Sequence, residues 1–244
     1  TVSKSYFRLV LPLAATPDNL VLRAMAETRA AVLEKGPGVA SRAPILAARL
    51  SKRIPVAAGL GGGSSDAAAA IDAALALWDA TLTSEEATAV AASLGSDVPF
   101  FLAHGPALVT GGGEFVEPLP LIQGEPPAVL LVTPGAAIST TAVFAAFDAG
   151  TLPLRSVRPT SPEGSATTTL AVSDNLAAAM RSGLAAPELV ELAPDLARAN
   201  DLLAAAQSVA PWLEGFGTAL EDLLGRPVGQ SGSGPTLWAL YRSI

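Results

Sequence analysis

The sequence has 244 residues, of which 50% are hydrophobic and 15% charged, with a formal net charge of -7, one histidine and no cysteine. This composition is typical of a globular protein with one large or two modest domains. It excludes disulfides, thiolate metal sites and histidine-rich zinc sites, and the acidic charge argues against a nucleic-acid-binding protein. No stretch reaches the roughly 20 apolar residues of a membrane span, and the first residues lack the order of a signal peptide. We therefore expect a cytoplasmic protein without a membrane partner.

Helix and strand signals are mixed along the chain. Short polar residues that can cap a helix precede apolar segments in the first half, and glycine and proline mark the turns between segments. In chain order we expect a helix at 20–34 capped by Asp18 and Asn19, a strand at 45–50, and an alanine-rich helix that is capped by Ser64, Ser65 and Asp66 and ends near Trp78. A helix at 83–93, opened by a capping box of Thr83 and Glu86, and a hairpin of 106–110 with 114–117 follow. For the rest of the chain we expect a buried strand at 128–133, a helix at 140–147, a mobile surface loop at 152–169, helices between 174 and 224, and a strand at 236–241. This mixture predicts an α+β protein of two lobes with a boundary near residues 123–127.

A glycine-rich loop precedes the alanine-rich helix. Four of the five residues from Gly59 to Gly63 are glycine, and a Ser-Ser-Asp helix start follows. Glycine permits positive φ and close approach of the backbone to a ligand, and the start of the following helix adds its positive end. We expect a nucleotide phosphate at this loop, with the hydroxyls of Ser64 and Ser65 available to the phosphate or to Mg²⁺. A Walker A loop needs lysine where Ser64 stands, and the spacing departs from the dinucleotide fingerprint; on the loop alone, an ordinary glycine-rich turn stays an alternative.

The sequence around this loop resembles one enzyme family. PVAAGLGGGSSDAA is similar to the P-x-x-x-G-L-G-S/G-S-S motif of the GHMP kinases. The segments that carry the resemblance are, in order, PDNLVLRA at 17–24, KRIPVAAGLGGGSSDAAA at 52–69, LGSDVPFFL at 94–102, VTPG at 132–135 with Thr140 and Phe144 after it, ANDL at 199–202 and SGSGPTLWAL at 231–240.

The resemblance implies both a fold and an activity. The fold is a two-lobed GHMP kinase fold, with an N-terminal ATP-binding lobe like ribosomal protein S5 domain 2 over residues 1–124 and a ferredoxin-like substrate lobe over 125–244. The activity is phosphorylation of a hydroxyl of a small molecule by ATP with Mg²⁺, and the triple-glycine form points to a cytidylated sugar alcohol of isoprenoid biosynthesis. Another GHMP kinase, of the homoserine or mevalonate type, and a non-catalytic nucleotide-binding relative stay open, as does the oligomeric state.

The resemblance also implies roles for single residues. Asp97 matches the catalytic aspartate, which orients the substrate hydroxyl and accepts its proton; the alternative is a simple turn cap. Phe144, one helical turn after Thr140, matches an aromatic residue that stacks on cytosine, with core packing as the alternative. The residues implied in nucleotide binding are Pro55, Val56, Ala57, Ala58, Gly59, Leu60, Gly61, Gly62, Gly63, Ser64 and Ser65. Those implied in substrate binding are Asp97, Thr140, Phe144, Gly232, Ser233 and Gly234, of which the last three could instead form a simple turn; no metal-ligating residue is assigned.

Some features of the sequence fall outside this assignment or depart from the family. For Asn200-Asp201 a helix cap is the favoured interpretation, and for His104 a surface or packing role. In the family, a lysine in a P-A-K-I-N strand contacts the reacting groups, and a G-Y-H segment follows it; both should precede Pro17 by several tens of residues. Only 16 residues precede Pro17, and the surroundings of Lys4 do not match. We therefore expect the chain to lack the family's start and its last strand and helix, and to bind nucleotide while transferring phosphate poorly.

Overall fold

The computed structural model describes residues 18–36, 43–150 and 169–242. The chain forms two compact units, the first made of Thr1–Pro55 and Gly61–Pro118, the second of Val56–Leu60 and Leu119–Ile244. The glycine-rich loop therefore passes from the second unit into the first between Leu60 and Gly61. The domain boundary expected between residues 124 and 125 stays a prediction.

The first unit is mainly helical. Its elements are α1 (Leu20–Glu34), α2 (Gly62–Trp78), α3 (Ser84–Leu94), α4 (Val98–Leu102), β1 (Ala107–Thr110) and β2 (Phe115–Pro118). The alanine-rich α2 contacts α1, α3 and α4, because small side chains let neighbouring helices approach closely. The core cluster at these contacts consists of Ala24, Ala67, Ala68, Ile71, Val90, Ala91, Leu94 and Val98. This packing places the starts of α2 and α4 on the same small helical framework.

Most of the elements predicted for this unit are confirmed. At the start of α1 the side chain of Asn19 accepts a hydrogen bond from the Val21 N–H at 3.0 Å. The capping box at α3 is present in both directions between Thr83 and Glu86. Lys35 also donates to Glu86 at 2.7 Å, and this hydrogen bond is the main cause that lowers the pKa of Glu86. The predicted hairpin is the antiparallel pair β1–β2.

The strand predicted at 45–50 is wrong, because this segment is irregular and pairs with no strand among the described residues. Side chains of neighbouring helices bind the backbone just before it instead: Arg29 Nε donates to the Ala43 carbonyl at 2.7 Å, and Trp78 Nε1 donates to the Pro44 carbonyl at 3.0 Å. The Ile45 side chain is 86% exposed. An apolar run favours a strand only where a partner strand covers it.

The second unit combines a small sheet with six helices in its described part. Its elements are β3 (Ala128–Val132), α5 (Thr140–Asp148), α6 (Thr169–Arg181), α7 (Ala186–Glu191), α8 (Ala193–Arg198), α9 (Leu203–Val209), α10 (Trp212–Leu224), β4 (Gly229–Gln230) and β5 (Leu237–Tyr241). The antiparallel sheet has the order β3-β5-β4. The core cluster of the second unit is formed by Ile138, Val143, Ala205, Ala206, Ala210, Leu213 and Leu237.

Most of the elements predicted for the second unit are also confirmed. The helix predicted at 140–147, the helical region between 174 and 224 and the last strand are confirmed. The strand at 128–133 is present, but its predicted burial is wrong. Val129 and Leu131 on one face are 54% and 50% exposed, and Leu130 on the other is 37% exposed, so the described residues leave both faces of β3 incompletely covered. The predicted loop at 152–169 falls, apart from Thr169 in α6, outside the described residues, as does Lys4.

The α+β class is confirmed by this combination of helices with two small antiparallel sheets. In the part of the chain that the structure describes, no helix combines the length and apolarity required to cross a membrane.

Candidate functional site

The glycine-rich loop has a distinctive backbone. Positive φ recurs at every second residue, with 55° at Ala57, 72° at Gly59 and 62° at Gly61. Backbone in which positive and negative φ alternate is typical of turns whose successive N–H groups form a concavity for anions. Left-handed backbone costs about 1–2 kcal/mol for a residue with a Cβ atom, so Ala57 is strained. Strain of this kind clusters at ligand sites, which supports a binding role for the loop.

The loop leads directly into α2. Gly61 is the N-cap, and the first helical hydrogen bond runs from the Ser65 N–H to the Gly61 carbonyl at 2.9 Å. The N–H groups of the residues between them therefore have no acceptor inside the helix. The predicted cap of Ser64, Ser65 and Asp66 is wrong: left-handed Gly61 turns the chain into the helix two residues before Ser64, and all three side chains lie in the first turns. The Ser65 hydroxyl donates to the Gly62 carbonyl at 3.2 Å.

A lysine and an aspartate hold the start of α2 in place. Lys52 Nζ donates to the Gly62 carbonyl at 2.9 Å and forms an ion pair with the Asp66 carboxylate. The two side chains are largely buried, at 15% and 27% exposure. A carboxylate at a helix start repels a bound anion, and Lys52 compensates that charge. Sequence reasoning missed this pair, because its members are 14 residues apart and meet only through the turn of the loop.

Asp97 lies at the N-cap of α4 with an exposed side chain. It makes no capping hydrogen bond with the described residues. Its helix packs on α2 through Val98, which is fully buried. One turn further, the Phe101 ring lies so close to Gly61 that a Cβ atom there would approach it to 2.9 Å. The carboxylate of Asp97 is thus accessible on a helix that contacts the end of the glycine-rich loop.

In the second unit, the SGSG turn contacts the first half of the loop through the backbone. A Cβ atom on Gly59 would lie 2.4 Å from the Ser231 carbonyl oxygen and 2.7 Å from that of Gly234. The Ser231 hydroxyl donates to the Gly59 carbonyl at 2.7 Å, and the Thr236 N–H donates to the Ala58 carbonyl at 3.3 Å. Only glycine permits this approach at position 59, so the turn holds the loop by main-chain contact.

Asn200 holds the same turn from its other side. Its Nδ2 group donates to the carbonyl oxygens of Gln230 at 3.0 Å and Gly232 at 2.9 Å, while its Oδ1 atom accepts from the Leu202 N–H at 2.9 Å. The last contact is a local turn bond, because the N-cap of α9 is Leu202 and no side chain caps that helix; the favoured interpretation of Asn200 as a helix cap is therefore wrong. The first two, across 30 and 32 residues, were missed; the matching family pair at 200–201 was the one sequence signal.

Other predicted substrate residues lie together in the second unit. The hydroxyls of Thr140 and Ser233 are 3.1 Å apart and hydrogen-bonded. Phe144 lies one turn later in α5 and is 48% exposed, so its ring is available for stacking. Of the residues outside the assignment, His104 is at the surface, 3.5 Å from the Asp72 carboxylate. Across residues 18–36, 43–150 and 169–242, no three acidic or histidine side chains cluster as a metal site.

Comparison with known proteins identifies the family. The profile "GHMP kinases N terminal domain" matches residues 19–105. The 4-diphosphocytidyl-2-C-methyl-D-erythritol kinase of Rhizobium meliloti is 35% identical over 93% of this chain and 65% of its own length. The enzyme of the same name from Paramagnetospirillum magneticum is 36% identical over 92% of this chain and 67% of its own length. The chain thus spans about two thirds of the length of these relatives.

Solved structures agree with this result. A crystal structure of 4-(cytidine 5'-diphospho)-2C-methyl-D-erythritol kinase has a TM-score of 0.59 and 28% identity, covering 98% of this chain and 74% of that one. A homoserine kinase from Cytophaga hutchinsonii has a TM-score of 0.60 at 18% identity, covering 94% of this chain and 70% of that one, and shows the fold alone. The expected GHMP kinase fold is confirmed. Fold, family profile and relatives together show that this chain belongs to the GHMP kinase family.

Proposed function

We propose that the protein transfers the γ-phosphoryl group of ATP to the 2-hydroxyl of 4-diphosphocytidyl-2-C-methyl-D-erythritol, in isopentenyl diphosphate biosynthesis in the cytoplasm. The observation that carries the proposal is the loop at residues 57–61, with its alternating positive φ values and its direct entry into α2. The relatives named for this substrate support the choice among GHMP kinases.

The loop and the start of α2 would hold the nucleotide phosphates. The residues fit such a group, because the recurrent positive φ at residues 57, 59 and 61 is typical of anion-binding turns and the first N–H groups of α2 have no helical acceptor. Mg²⁺ keeps several waters and binds through phosphates with one or two protein oxygens, for which the hydroxyls of Ser64 and Ser65 are candidates. When bound, ATP with Mg²⁺ supplies the transferable phosphoryl group.

The remaining roles fall to Asp97 and the α5 face. Asp97 would orient the substrate hydroxyl and accept its proton while the hydroxyl oxygen bonds to the γ-phosphorus and ADP leaves. Phosphoryl transfer needs little more than such positioning and charge compensation. The exposed Phe144 ring would stack on the cytosine base, and Thr140, held by Ser233, would position it.

ATP consumption by the gene product that contains this sequence tests the proposal. We expect turnover with the cytidylated substrate and none with homoserine or mevalonate. Asp97→Asn should lower kcat at least about 100-fold, in the range of a lost general base, while the Kd for ATP stays within about twofold. The exposed Asp222→Asn in α10 is the matched control and should retain full activity.

Each other outcome has a definite meaning. Turnover with homoserine or mevalonate alone would replace the substrate assignment. ATP binding without turnover on any of the three substrates would support the non-catalytic relative. If neither ATP nor the cytidylated substrate bound, the proposal would be wrong.

A further inference from the structure

The tip of the β1–β2 hairpin packs against the backbone that carries Asp97. A Cβ atom on Gly113 would lie 2.0 Å from the Ser96 carbonyl oxygen, 2.7 Å from its carbonyl carbon and 2.8 Å from its Cα atom. Gly113 is buried, whereas its neighbours Gly111 and Gly112 are exposed. All three contacts are with main-chain atoms, which cannot rotate away as a side chain can.

Ser96 and Asp97 are the two central residues of the turn between α3 and α4. The turn closes with a hydrogen bond from the Val98 N–H to the Gly95 carbonyl at 3.1 Å. Val98 is buried in the helical core, which anchors the turn at its end. Gly113 blocks movement of Ser96 toward the hairpin. The turn is therefore restrained on both sides of Asp97, although the Asp97 side chain is exposed.

We propose that Gly113 is a positioning residue, which fixes the backbone at Ser96 and thereby the direction of the Asp97 carboxylate. This inference rests on the proposed role of Asp97 as the proton acceptor. A Cβ atom at position 113 must move from 2.0 Å to at least 3.0 Å from the Ser96 oxygen before the contact is tolerable, a displacement of 1.0 Å. A displacement of about 1 Å at a reacting group lowers rate about 100-fold.

The same hairpin turn offers two matched controls. Gly111 has a φ of 70°, so Gly111→Ala also places a Cβ atom on backbone with positive φ, as Gly113→Ala does at 105°. The three heavy atoms nearest to the new Cβ atom at position 111 belong to the side chains of Glu114 and Phe115, which can move. Gly112 has no positive φ, and its Cβ atom would meet only the Glu114 carboxylate, at 3.2 Å. Neither control presses on Ser96.

Kinetics of the three alanine variants test the proposal. We expect Gly113→Ala to lower kcat about 100-fold with the Kd for ATP within about twofold, and both controls to keep kcat within about twofold. Because Gly113 acts through Asp97, adding Gly113→Ala to Asp97→Asn should cause no further loss, whereas a general structural defect would add to it. An unchanged kcat in Gly113→Ala, or a further loss in the double variant, would overturn the proposal.

NMR spectra of the backbone amides test the positioning role of Gly113 independently of turnover. The N–H signals of Ser96, Asp97 and Val98 should shift in Gly113→Ala and stay in place in both controls; unshifted signals would overturn the proposal. If wild-type protein shows no turnover, the proposed function fails and these spectra still judge the positioning. If Gly113→Ala does not fold, Ser96→Gly/Gly113→Ala lets the turn adapt around the new methyl group. Compared with Ser96→Gly alone, that double variant should show shifted amide signals and a lower kcat. If its amide signals and its kcat match those of Ser96→Gly, Gly113 has no positioning role.

Discussion

Gly59→Ala is the most direct perturbation of the glycine-rich loop. Gly59 has a φ of 72°, which costs a residue with a Cβ atom about 1–2 kcal/mol. The new atom would also lie 2.4 Å from the Ser231 carbonyl oxygen and 2.7 Å from that of Gly234. Forcing an atom into a filled site costs about 1–3 kcal/mol more. We therefore expect the free energy of unfolding to fall by about 2–5 kcal/mol in total.

Gly232→Ala separates the two contributions. Its φ of 52° brings the same strain, but its Cβ atom would lie 3.5 Å from the Gly59 carbonyl oxygen, an ordinary contact. We expect a loss of about 1–2 kcal/mol, from the strain alone. The difference between the two variants, about 1–3 kcal/mol, is the cost of the backbone overlap at Gly59.

Urea denaturation checks these values, with fluorescence from Trp212 and Trp238, which lie in the same unit as both glycines. Calorimetric titration with ATP follows the second consequence. Gly59→Ala should weaken ATP binding more than Gly232→Ala does, because it displaces the loop itself. If the two variants unfold at the same urea concentration, the close approach at Gly59 does not stabilise the loop and the reasoning fails.

Three further changes test other contacts. Lys52→Met leaves the Asp66 carboxylate uncompensated at the start of α2, so we expect calorimetry to show an ATP affinity about tenfold lower. Lys52→Met/Asp66→Asn should recover most of this affinity. An equal loss of ATP affinity in the single and the double variant would contradict this explanation. The Lys35 hydrogen bond lowers the pKa of Glu86, so its stabilisation is present at neutral pH and lost as pH falls through the lowered pKa. In urea denaturation across pH, Glu86→Gln should be less stable than wild type at pH 7, and the gap should close in acid; a gap that widens is the opposite result. Asn200→Ala should cost about 1–3 kcal/mol of unfolding free energy through its lost hydrogen bonds, and Asn200→Asp, which keeps only the acceptor, should also be destabilised; wild-type stability of Asn200→Asp would refute this.

Local signals predicted the elements that depend on adjacent residues. Asn19 and the pair Thr83 and Glu86 bind N–H groups within three residues, so their effect can be derived from spacing alone. The prediction of a strand at 45–50 was wrong because a strand needs a partner strand, and an apolar run does not show whether a partner strand lies beside it. The predicted start of α2 was wrong for a related reason. The prediction rested on polar residues that can cap a helix and did not consider left-handed backbone at Gly61.

For the candidate site, residue type was predictable and contact was not. Glycines, a helix start and Asp97 in a familiar segment pointed to a phosphate loop and a proton acceptor. The long-range contacts of Lys52 and Asn200 were not predicted, because each binds carbonyl oxygens, and every residue has a carbonyl. A side-chain pattern does not identify such an acceptor at a distance along the chain.

The glycines show the same limit most clearly. Gly36, Gly124 and Gly150 have positive φ and no heavy atom within 4 Å of a built Cβ, so an alanine there would meet backbone strain alone. Gly59 and Gly113 have positive φ as well, but their Cβ atoms would overlap main-chain atoms of Ser231 and Ser96, at 2.4 Å and 2.0 Å. The sequence does not show which of the five approach main-chain atoms. Only the latter two hold segments proposed to act on substrates, so their replacement should affect function as well as stability.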